Sequence, residues 1–413
     1  MPPADPRELD ASPVSRGFVA AYTAAQIGAF IGFIPLLTLL LPMKAAAIAP
    51  DGKVELLALV ALWGAVTAGI ANVVAGAASD RARLRHGGRW RWIASGLIAT
   101  LASYGLIAAA TTPWALLLAV VSLQISLNLM LNPLAAVLPD DVPDLQKGVV
   151  SGFTGLAYPV ANLFGAVVIG ILLSTETARL WAVVATMALL VMPFILVVRR
   201  RREPPSSAPA TLSWSWVALK DQDFRMAFFS RLCVQTAVAM NVLYLLFFLQ
   251  QESDIAAVLS SQRPEAVVGW VLAASTLTAI VAGLLAGLIS DRIGRRRELI
   301  FAGGMCLAGG SLMMALAPQW PGPAVAQVVF GVGIGVYGVV DTALIAQVLP
   351  SRANAGRDLG LMNIATTAAQ VLAPLLALAA LQLLGHDLRL LFALSSVLAI
   401  IGATAILTIK RVR

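Results

Sequence analysis

Two oppositely charged residues, Arg231 and Asp341, lie inside long apolar segments of the sequence, where charge is otherwise scarce. Arg231 lies near the start of the segment 225–250, and Asp341 lies near the end of the segment 323–349. If that start and that end lie at the same membrane face, both charges lie roughly 10–13 Å from it, at 1.5 Å per residue. An unpaired charge at that depth is costly, so the spacing predicts an ion pair. The pair is either a static contact that fixes the packing or a site where Asp341 binds H+ and couples that binding to another event.

Uncharged polar residues in the same kind of apolar segment form a second set of candidates. Amides and phenols offer both hydrogen-bond donors and acceptors, which suits a neutral polyhydroxyl ligand. The candidate ligand-binding residues are Tyr22, Gln26, Gln124, Asn128, Asn132, Tyr158, Asn162, Gln235, Asn241, Tyr244, Tyr337, Asn363 and Gln370. Any one of them could instead form a hydrogen bond between helices. Gln124, Asn128 and Asn132 are the best supported, because their spacing of four residues places them on one helix face.

Other kinds of chemistry find no support in the sequence. The two histidines, His86 and His386, lie far apart in loops, and no Walker-type phosphate loop is present. We therefore expect no enzyme activity, no metal site and no cofactor.

The composition predicts the elements that must position these residues. Of the 413 residues, 59% are apolar and 12% are charged, and the mean hydropathy is +0.86. This composition excludes a soluble enzyme and a disordered scaffold, and it is enough for roughly twelve helices of about 20 residues each. The fold class expected is an all-α polytopic membrane protein with twelve transmembrane helices. Their predicted positions are 17–43, 55–79, 91–111, 114–138, 148–174, 178–198, 225–250, 266–290, 298–318, 323–349, 359–384 and 389–409.

Basic residues predict the orientation of these helices. With the amino terminus and every second loop on one side, that side holds 23 of the 29 Lys and Arg residues. This bias predicts that both termini are cytoplasmic and that the chain is a multi-pass protein of the inner membrane. The polar residues before the first apolar run argue against a cleavable signal peptide. Since surplus basic residues report topology here, the net charge of +8 does not indicate a nucleic-acid partner.

A polar, Pro- and Ser-rich stretch at 199–223 predicts a cytoplasmic connector. It divides the chain into an amino-terminal bundle of six helices at 1–198 and a carboxy-terminal bundle of six helices at 224–413. Two six-helix halves are the usual internal repeat of secondary transporters.

A motif repeated at equivalent places in the two halves supports that division. The second copy, after the eighth helix, fits G-x-x-x-D-R-x-G-R-R, and the first, after the second helix, keeps its Gly, Asp and Arg. A Gly one turn before the Asp allows a neighbouring helix to approach closely. The motif residues are Gly76, Asp80 and Arg81 in the first copy, and Gly287, Asp291, Arg292, Gly294, Arg295 and Arg296 in the second.

With this motif, the chain resembles the major facilitator superfamily over essentially its whole length. The resemblance implies two pseudo-symmetric bundles that rock about a central site, with the first, fourth, seventh and tenth helices lining the cavity. It assigns the motif residues to a cytoplasmic gate, which joins the two halves while the transporter faces outward.

The extended first motif, S-D-R-x-R-x-R-x-G-G-R-W-R-W, resembles the version in sucrose transporters and the glycoside–pentoside–hexuronide family. The segments Gln26–Gly28 and Asn128–Pro133 also resemble sucrose transporters. One departure is Ala135, where those transporters have an arginine that serves proton coupling.

The expected function is therefore uptake of a neutral, sugar-like small molecule, coupled to H+ or Na+, by a monomer in the lipid bilayer. Two alternatives stay open: a proton-coupled exporter of amphipathic drugs or metabolites, and a non-transporting membrane receptor on the same fold.

Overall fold

In the computed structural model, residues 13–86, 89–200, 216–348, 355–384 and 387–410 are described, and their regular structure is helical. Within these ranges, twelve helices are long and apolar enough to cross a membrane, which confirms the predicted fold class. Numbered as spans 1 to 12, they are Arg16–Ile48, Lys53–Gly76, Trp90–Ala109, Pro113–Asp141, Leu145–Leu172, Glu176–Arg199, Gln222–Gln251, Pro264–Ile293, Arg296–Leu316, Gly322–Ile345, Gly360–Leu383 and Leu388–Ile406.

Several helices continue beyond the apolar span that they contain. Spans 2, 6, 10 and 11 belong to the helices Lys53–His86, Glu176–Arg200, Gly322–Val348 and Ala355–Leu384. Two short helices, Trp216–Lys220 and Ile255–Val258, lie before and after span 7.

Spans 1, 4 and 5 consist of shorter helical pieces. Span 1 contains Arg16–Ile31, the π-helical Leu36–Leu40 and Leu41–Ile48; span 4 contains Pro113–Ala135 and Val137–Asp141; span 5 contains Asp144–Thr154, Ala157–Phe164 and the π-helical Gly165–Leu172.

Proline explains the positions of these breaks. The first pieces of the three spans end at Ile31, Ala135 and Thr154, and the prolines that follow are Pro35, Pro139 and Pro159. A proline cannot donate to the carbonyl four residues before it, and its ring clashes with that carbonyl. Each helix therefore ends within one residue of the position that its proline disturbs.

The chain forms two compact units. The first comprises the described residues of Met1–Leu36, Thr67–Gly165 and Thr175–Ala210, and the second those of Leu37–Val66, Ala166–Ser174 and Thr211–Arg413. One end of each of spans 1, 2 and 5 thus belongs to the second unit. The division into six-helix bundles at 1–198 and 224–413 stays a prediction.

Each unit has its own apolar core. In the first unit, the rings of Phe18 and Tyr22 on span 1 pack with Phe194 on span 6, at centroid distances of 5.3–6.2 Å. In the second unit, fully buried residues of spans 7, 9, 10 and 12 form one cluster, which includes Val234 and Leu307.

Glycines allow close approach of spans 8 and 10 in the second unit. A Cβ atom placed on Gly335 would overlap the carbonyl oxygen of Ala279, and one on Gly331 would overlap that of Ser275. Small residues at such a contact let the two helix backbones touch, which is a main source of packing energy in membranes.

We expect Gly335→Ala to lower the free energy of unfolding by about 1–3 kcal/mol, because the added methyl group forces the two backbones apart. Thermal unfolding of the purified protein in detergent measures the change. Gly338→Ala is the matched control, since a Cβ at Gly338 has no neighbouring atom within 4 Å. Equal melting temperatures for the two variants would contradict the packing role of Gly335.

Candidate functional site

The two buried charges meet in the second unit. The guanidinium of Arg231 on span 7 donates through Nη1 to Oδ2 of Asp341 on span 10, at 3.1 Å. The side chain of Arg231 is 15% exposed and that of Asp341 is 4% exposed. Arg231 also donates through Nε to Oγ1 of Thr366 on span 11, at 3.1 Å. Three helices therefore meet at one ion pair.

Further buried oxygen atoms surround this pair. Tyr337 lies one helical turn before Asp341 on span 10, and Ser230 precedes Arg231 on span 7. Among the described residues, Ser230 Oγ, Tyr337 Oη and Asp341 Oδ1 are buried and form no hydrogen bond of good geometry. Most buried polar atoms in proteins are paired, so this concentration is unusual. Arg231 donates to Oδ2, and Oδ1 is the carboxylate oxygen that is buried without a hydrogen bond of good geometry.

In the first unit, Tyr22 and Gln26 form a buried hydrogen-bond chain. The Tyr22 hydroxyl donates to the carbonyl oxygen of Leu134 at 3.0 Å, and Gln26 Nε2 donates to the Tyr22 hydroxyl at 2.9 Å. Leu134 lies just before the break in span 4, where the backbone ladder is interrupted. Tyr22 thus holds span 1 against span 4, and Gln26 binds the Tyr22 hydroxyl from the same helix.

The predicted polar face of span 4 is also hydrogen-bonded. Asn72 Nδ2, in the helix Lys53–His86, donates to Oδ1 of Asn128 at 3.3 Å and to Oδ1 of Asn132 at 3.1 Å. Asn132 Nδ2 donates back to the carbonyl of Asn72 at 3.0 Å. Gln124 and Asn128 are buried, whereas Asn72 is exposed and Asn132 is partly exposed. The face therefore joins spans 2 and 4, and its Asn72–Asn132 end is accessible.

A second amide pair lies in the second unit. Gln327 Nε2 on span 10 donates to Oδ1 of Asn241 on span 7 at 2.7 Å, and both side chains are buried. Asn241 Nδ2 and the hydroxyl of Tyr244 are buried without a hydrogen-bond partner among the described residues.

The remaining ligand candidates are more accessible. Tyr158 is exposed and makes an edge-on ring contact with Phe30, at a centroid distance of 6.3 Å. Asn162, Gln235 and Gln370 are half-buried, and Asn363 is exposed.

Three residues of these networks are absent from the set expected from the sequence: Asn72, Gln327 and Thr366. Asn72 and Gln327 carry the same signal as the predicted residues, an amide inside an apolar run. Thr366 carries no such signal, because hydroxyl side chains in membrane helices commonly bond their own backbone.

The second copy of the repeated motif lies where span 8 ends. Gly294 has a φ of +69°, a left-handed conformation in which glycine commonly ends a helix. Arg296 then contacts both neighbouring spans: its Nη2 lies 3.9 Å from Oδ1 of Asp291, and its Nη1 donates to the carbonyl of Ala343 at 3.2 Å. Asp291 is mostly exposed. Arg292 is exposed and Gly287 is half-buried, while Arg295 forms an exposed ion pair with Glu298 at 3.3 Å.

In the first copy, Gly76 lies within the helix Lys53–His86, and the side chains of Asp80 and Arg81 lie outside the described residues. Just after this copy, Arg89 forms an ion pair with Asp140 at 2.6 Å, and Arg89 is buried.

Solved transporters share this architecture. A variant of the nucleoside transporter NupG aligns with 94% of this chain and 99% of its own, with a TM-score of 0.72 and 13% identity. A variant of the peptide transporter POT, in complex with sulfate, aligns over 98% of both chains, with a TM-score of 0.75 and 12% identity. The human organic anion transporter MFSD10 (TETRAN) aligns with 96% of this chain and all of its own, with a TM-score of 0.64 and 17% identity. At these identities the likeness concerns the fold alone.

A curated relative matches part of the sequence. Myo-inositol transporter 1 of Cryptococcus neoformans var. grubii is 30% identical over 122 residues, which are 30% of this chain and 20% of the relative. The resemblance to sucrose transporters stays a prediction.

The sequence profile of the Major Facilitator Superfamily matches residues 17–263 and 227–413, which together cover almost the whole chain. The twelve spans, the repeated motif and this match agree: the chain belongs to the Major Facilitator Superfamily and is a multi-pass membrane transporter rather than an enzyme.

Proposed function

We propose that this transporter takes up a neutral, sugar-like solute by alternating access and that binding of H+ to Asp341 drives the uptake. Under this proposal it acts in the inner membrane with both termini in the cytoplasm, as the distribution of basic residues predicts. The observation that carries the coupling is the buried Arg231–Asp341 ion pair.

The choice of solute is supported by the chemistry of the polar groups. The polar candidates outside the ion pair are amides and phenols, which bind hydroxyl groups through both donors and acceptors. The accessible Asn72–Asn132 pair is the group that we assign to the solute. The partial match to an inositol transporter agrees with a polyol as cargo.

The choice of H+ is supported by the surroundings of Asp341. The Arg231 guanidinium lies at hydrogen-bonding distance from the carboxylate, so a sodium ion bound there would face a full positive charge. A proton on Oδ1 neutralises Asp341 and weakens its attraction to Arg231, which links protonation to the packing of spans 7 and 10.

An uptake screen in proteoliposomes tests the proposal. Radiolabelled hexoses, disaccharides and inositols are compared under a pH gradient, under a sodium gradient and with neither. We expect accumulation of a polyhydroxylated solute only under the pH gradient. Accumulation driven by sodium would contradict the assignment of H+, and export of amphipathic cations without sugar uptake would contradict the assignment of solute.

Asp341→Asn should abolish accumulation under a pH gradient while substrate-driven exchange continues, because exchange requires no net movement of protons. Uptake and counterflow in the same proteoliposomes measure both activities. Glu298→Gln changes an exposed acid of the same unit, outside the repeated motif, and serves as the control for accumulation. Full accumulation by a stable Asp341→Asn variant would remove Asp341 from the coupling mechanism.

A double-mutant cycle separates the coupling role from a structural one. Arg231→Gln or Asp341→Asn alone should cost about 3–5 kcal/mol of stability if the pair is static, because each leaves an uncompensated buried partner. The double variant should then recover most of this loss. Thermal unfolding in detergent gives the cycle, with Arg389→Gln as the control for an exposed ion pair. Additive losses in the double variant would show that the two charges do not stabilise each other.

We also expect Asp291→Ala to slow transport while changing solute affinity only a few-fold, because Asp291 is a mostly exposed residue at the end of span 8 and takes no part in the buried polar networks described above. Initial uptake rates and thermal shifts with the solute measure the two effects. Glu298→Ala is the matched control, an exposed acid seven residues later. Loss of solute binding in a folded Asp291→Ala variant would contradict a gating role.

A further inference from the structure

Arg263 occupies an unusual position at the start of span 8. Its guanidinium donates through Nη2 to the carbonyl of Ile171 at 2.7 Å and through Nη1 to the carbonyl of Leu173 at 2.8 Å. These carbonyls lie at the end of the π-helical piece Gly165–Leu172 of span 5. The last carbonyls of a helix lack partners within that helix, and the two terminal nitrogens of Arg263 donate to carbonyls at this end.

The same two helices meet backbone to backbone. A Cβ atom on Gly269 would overlap the carbonyl oxygen of Ala166, and one on Gly170 would lie 3.0 Å from the carbonyl oxygen of Glu265. Any larger side chain at Gly269 would therefore keep the two helices apart. This backbone contact does not involve Arg263, and it joins the same two elements, the end of span 5 and the start of span 8. We call this region the junction.

A third contact lies at the same end of the second unit. The ammonium of Lys53, at the start of span 2, lies 5.3 Å from the ring centroid of Phe247 near the end of span 7. The segments 37–66 and 166–174 belong to the second unit, as spans 7 and 8 do.

We propose that Arg263 is the latch that holds this end closed, and that the Gly170–Gly269 contact is the surface on which the end closes. A transporter that works by alternating access must open here, and opening must break two charge-assisted hydrogen bonds to carbonyls. Under the predicted orientation this is the outward face. The inference rests on the proposed alternating access but on neither the solute nor the coupling ion.

The test measures opening directly and uses no solute. The junction reporter is Ala166→Cys, at a fully buried position of the junction, in a full-length background with Cys233→Ser and Cys306→Ser. A hydrophilic methanethiosulfonate reagent then labels the purified protein, and the labelling rate reports how often the junction opens. The core reporter, Ser311→Cys in the same background, lies in the buried contact between spans 9 and 12 and reports general loosening.

Arg263→Gln should raise the labelling rate of the junction reporter about ten-fold, as expected for the loss of two hydrogen bonds that hold one of two states. Arg263→Lys should give a smaller increase, because a single ammonium cannot match the planar fork that reaches both carbonyls. Gly269→Leu should also raise the rate, since the side chain prevents closure. In every case the labelling rate of the core reporter should stay unchanged.

Matched controls leave the junction intact. Arg389→Gln removes a base whose ion pair is with Glu252, and Gly105→Leu adds a side chain where no atom lies within 4 Å. Both should leave the junction reporter at its parental labelling rate. An unchanged rate in Arg263→Gln and Gly269→Leu, or an equal increase at the core reporter, would overturn the latch. Faster labelling of the junction reporter combined with failed sugar uptake would instead refute the proposed solute and leave the latch standing.

Discussion

Lipid offers no hydrogen bonds, so every peptide group of a membrane-embedded chain must find its partner within the protein. Helices meet this demand until a proline interrupts the ladder, and spans 1 and 4 are interrupted in this way. Near these breaks, a neighbouring helix supplies the donor: the Tyr104 hydroxyl binds the carbonyl of Gly32, and the Tyr22 hydroxyl binds that of Leu134. Arg263 does the same for the last carbonyls of span 5. The tertiary contacts at these points therefore satisfy backbone hydrogen-bonding groups. Polar side chains that make these contacts have fewer donors and acceptors left to bind a ligand.

This requirement also explains how much of the structure could be predicted from the sequence. The number and approximate bounds of the spans follow from apolar length alone, and the common face of Gln124, Asn128 and Asn132 follows from helical periodicity. The partner of that face could not be predicted, because it depends on how span 2 is rotated against span 4. Asn72 carries the sequence signal of an amide in an apolar run, but its pairing with this face is apparent only in the folded chain. Arg263 lies between the predicted helices 225–250 and 266–290, and no periodicity marks a side chain that binds the end of a distant helix.

For the Arg231–Asp341 pair, the partner could be predicted from the sequence, but the surroundings could not. Scarcity of charge within the spans was enough to predict that the two side chains would meet, because neither can lie alone at that depth. Their surroundings were not predictable: Thr366 takes one donor of Arg231, while Ser230, Tyr337 and the second carboxylate oxygen form no hydrogen bond of good geometry. A fully satisfied network would lock spans 7 and 10 together, whereas an incompletely satisfied one is sensitive to a single proton. Under the proposed coupling, this partial pairing is what allows protonation of Asp341 to change the contact between spans 7 and 10.

The prolines that break the spans have a consequence for how this sequence can diverge. A carbonyl near a break accepts a hydrogen bond from a donor on another helix, as the Gly32 carbonyl does from the Tyr104 hydroxyl. Removing that donor leaves a backbone carbonyl without a partner in a medium that contains no water. Replacing Pro35 instead returns an amide donor to the carbonyl of Ile31 and lets the ladder continue past Gly32, so the bond from Tyr104 is no longer required. Loss of the Tyr104 hydroxyl is then tolerated only together with loss of the proline, so the two positions are expected to covary, although 69 residues separate Pro35 from Tyr104. Among related sequences, the presence of a proline in one span should then covary with the presence of a hydroxyl or guanidinium on its neighbour.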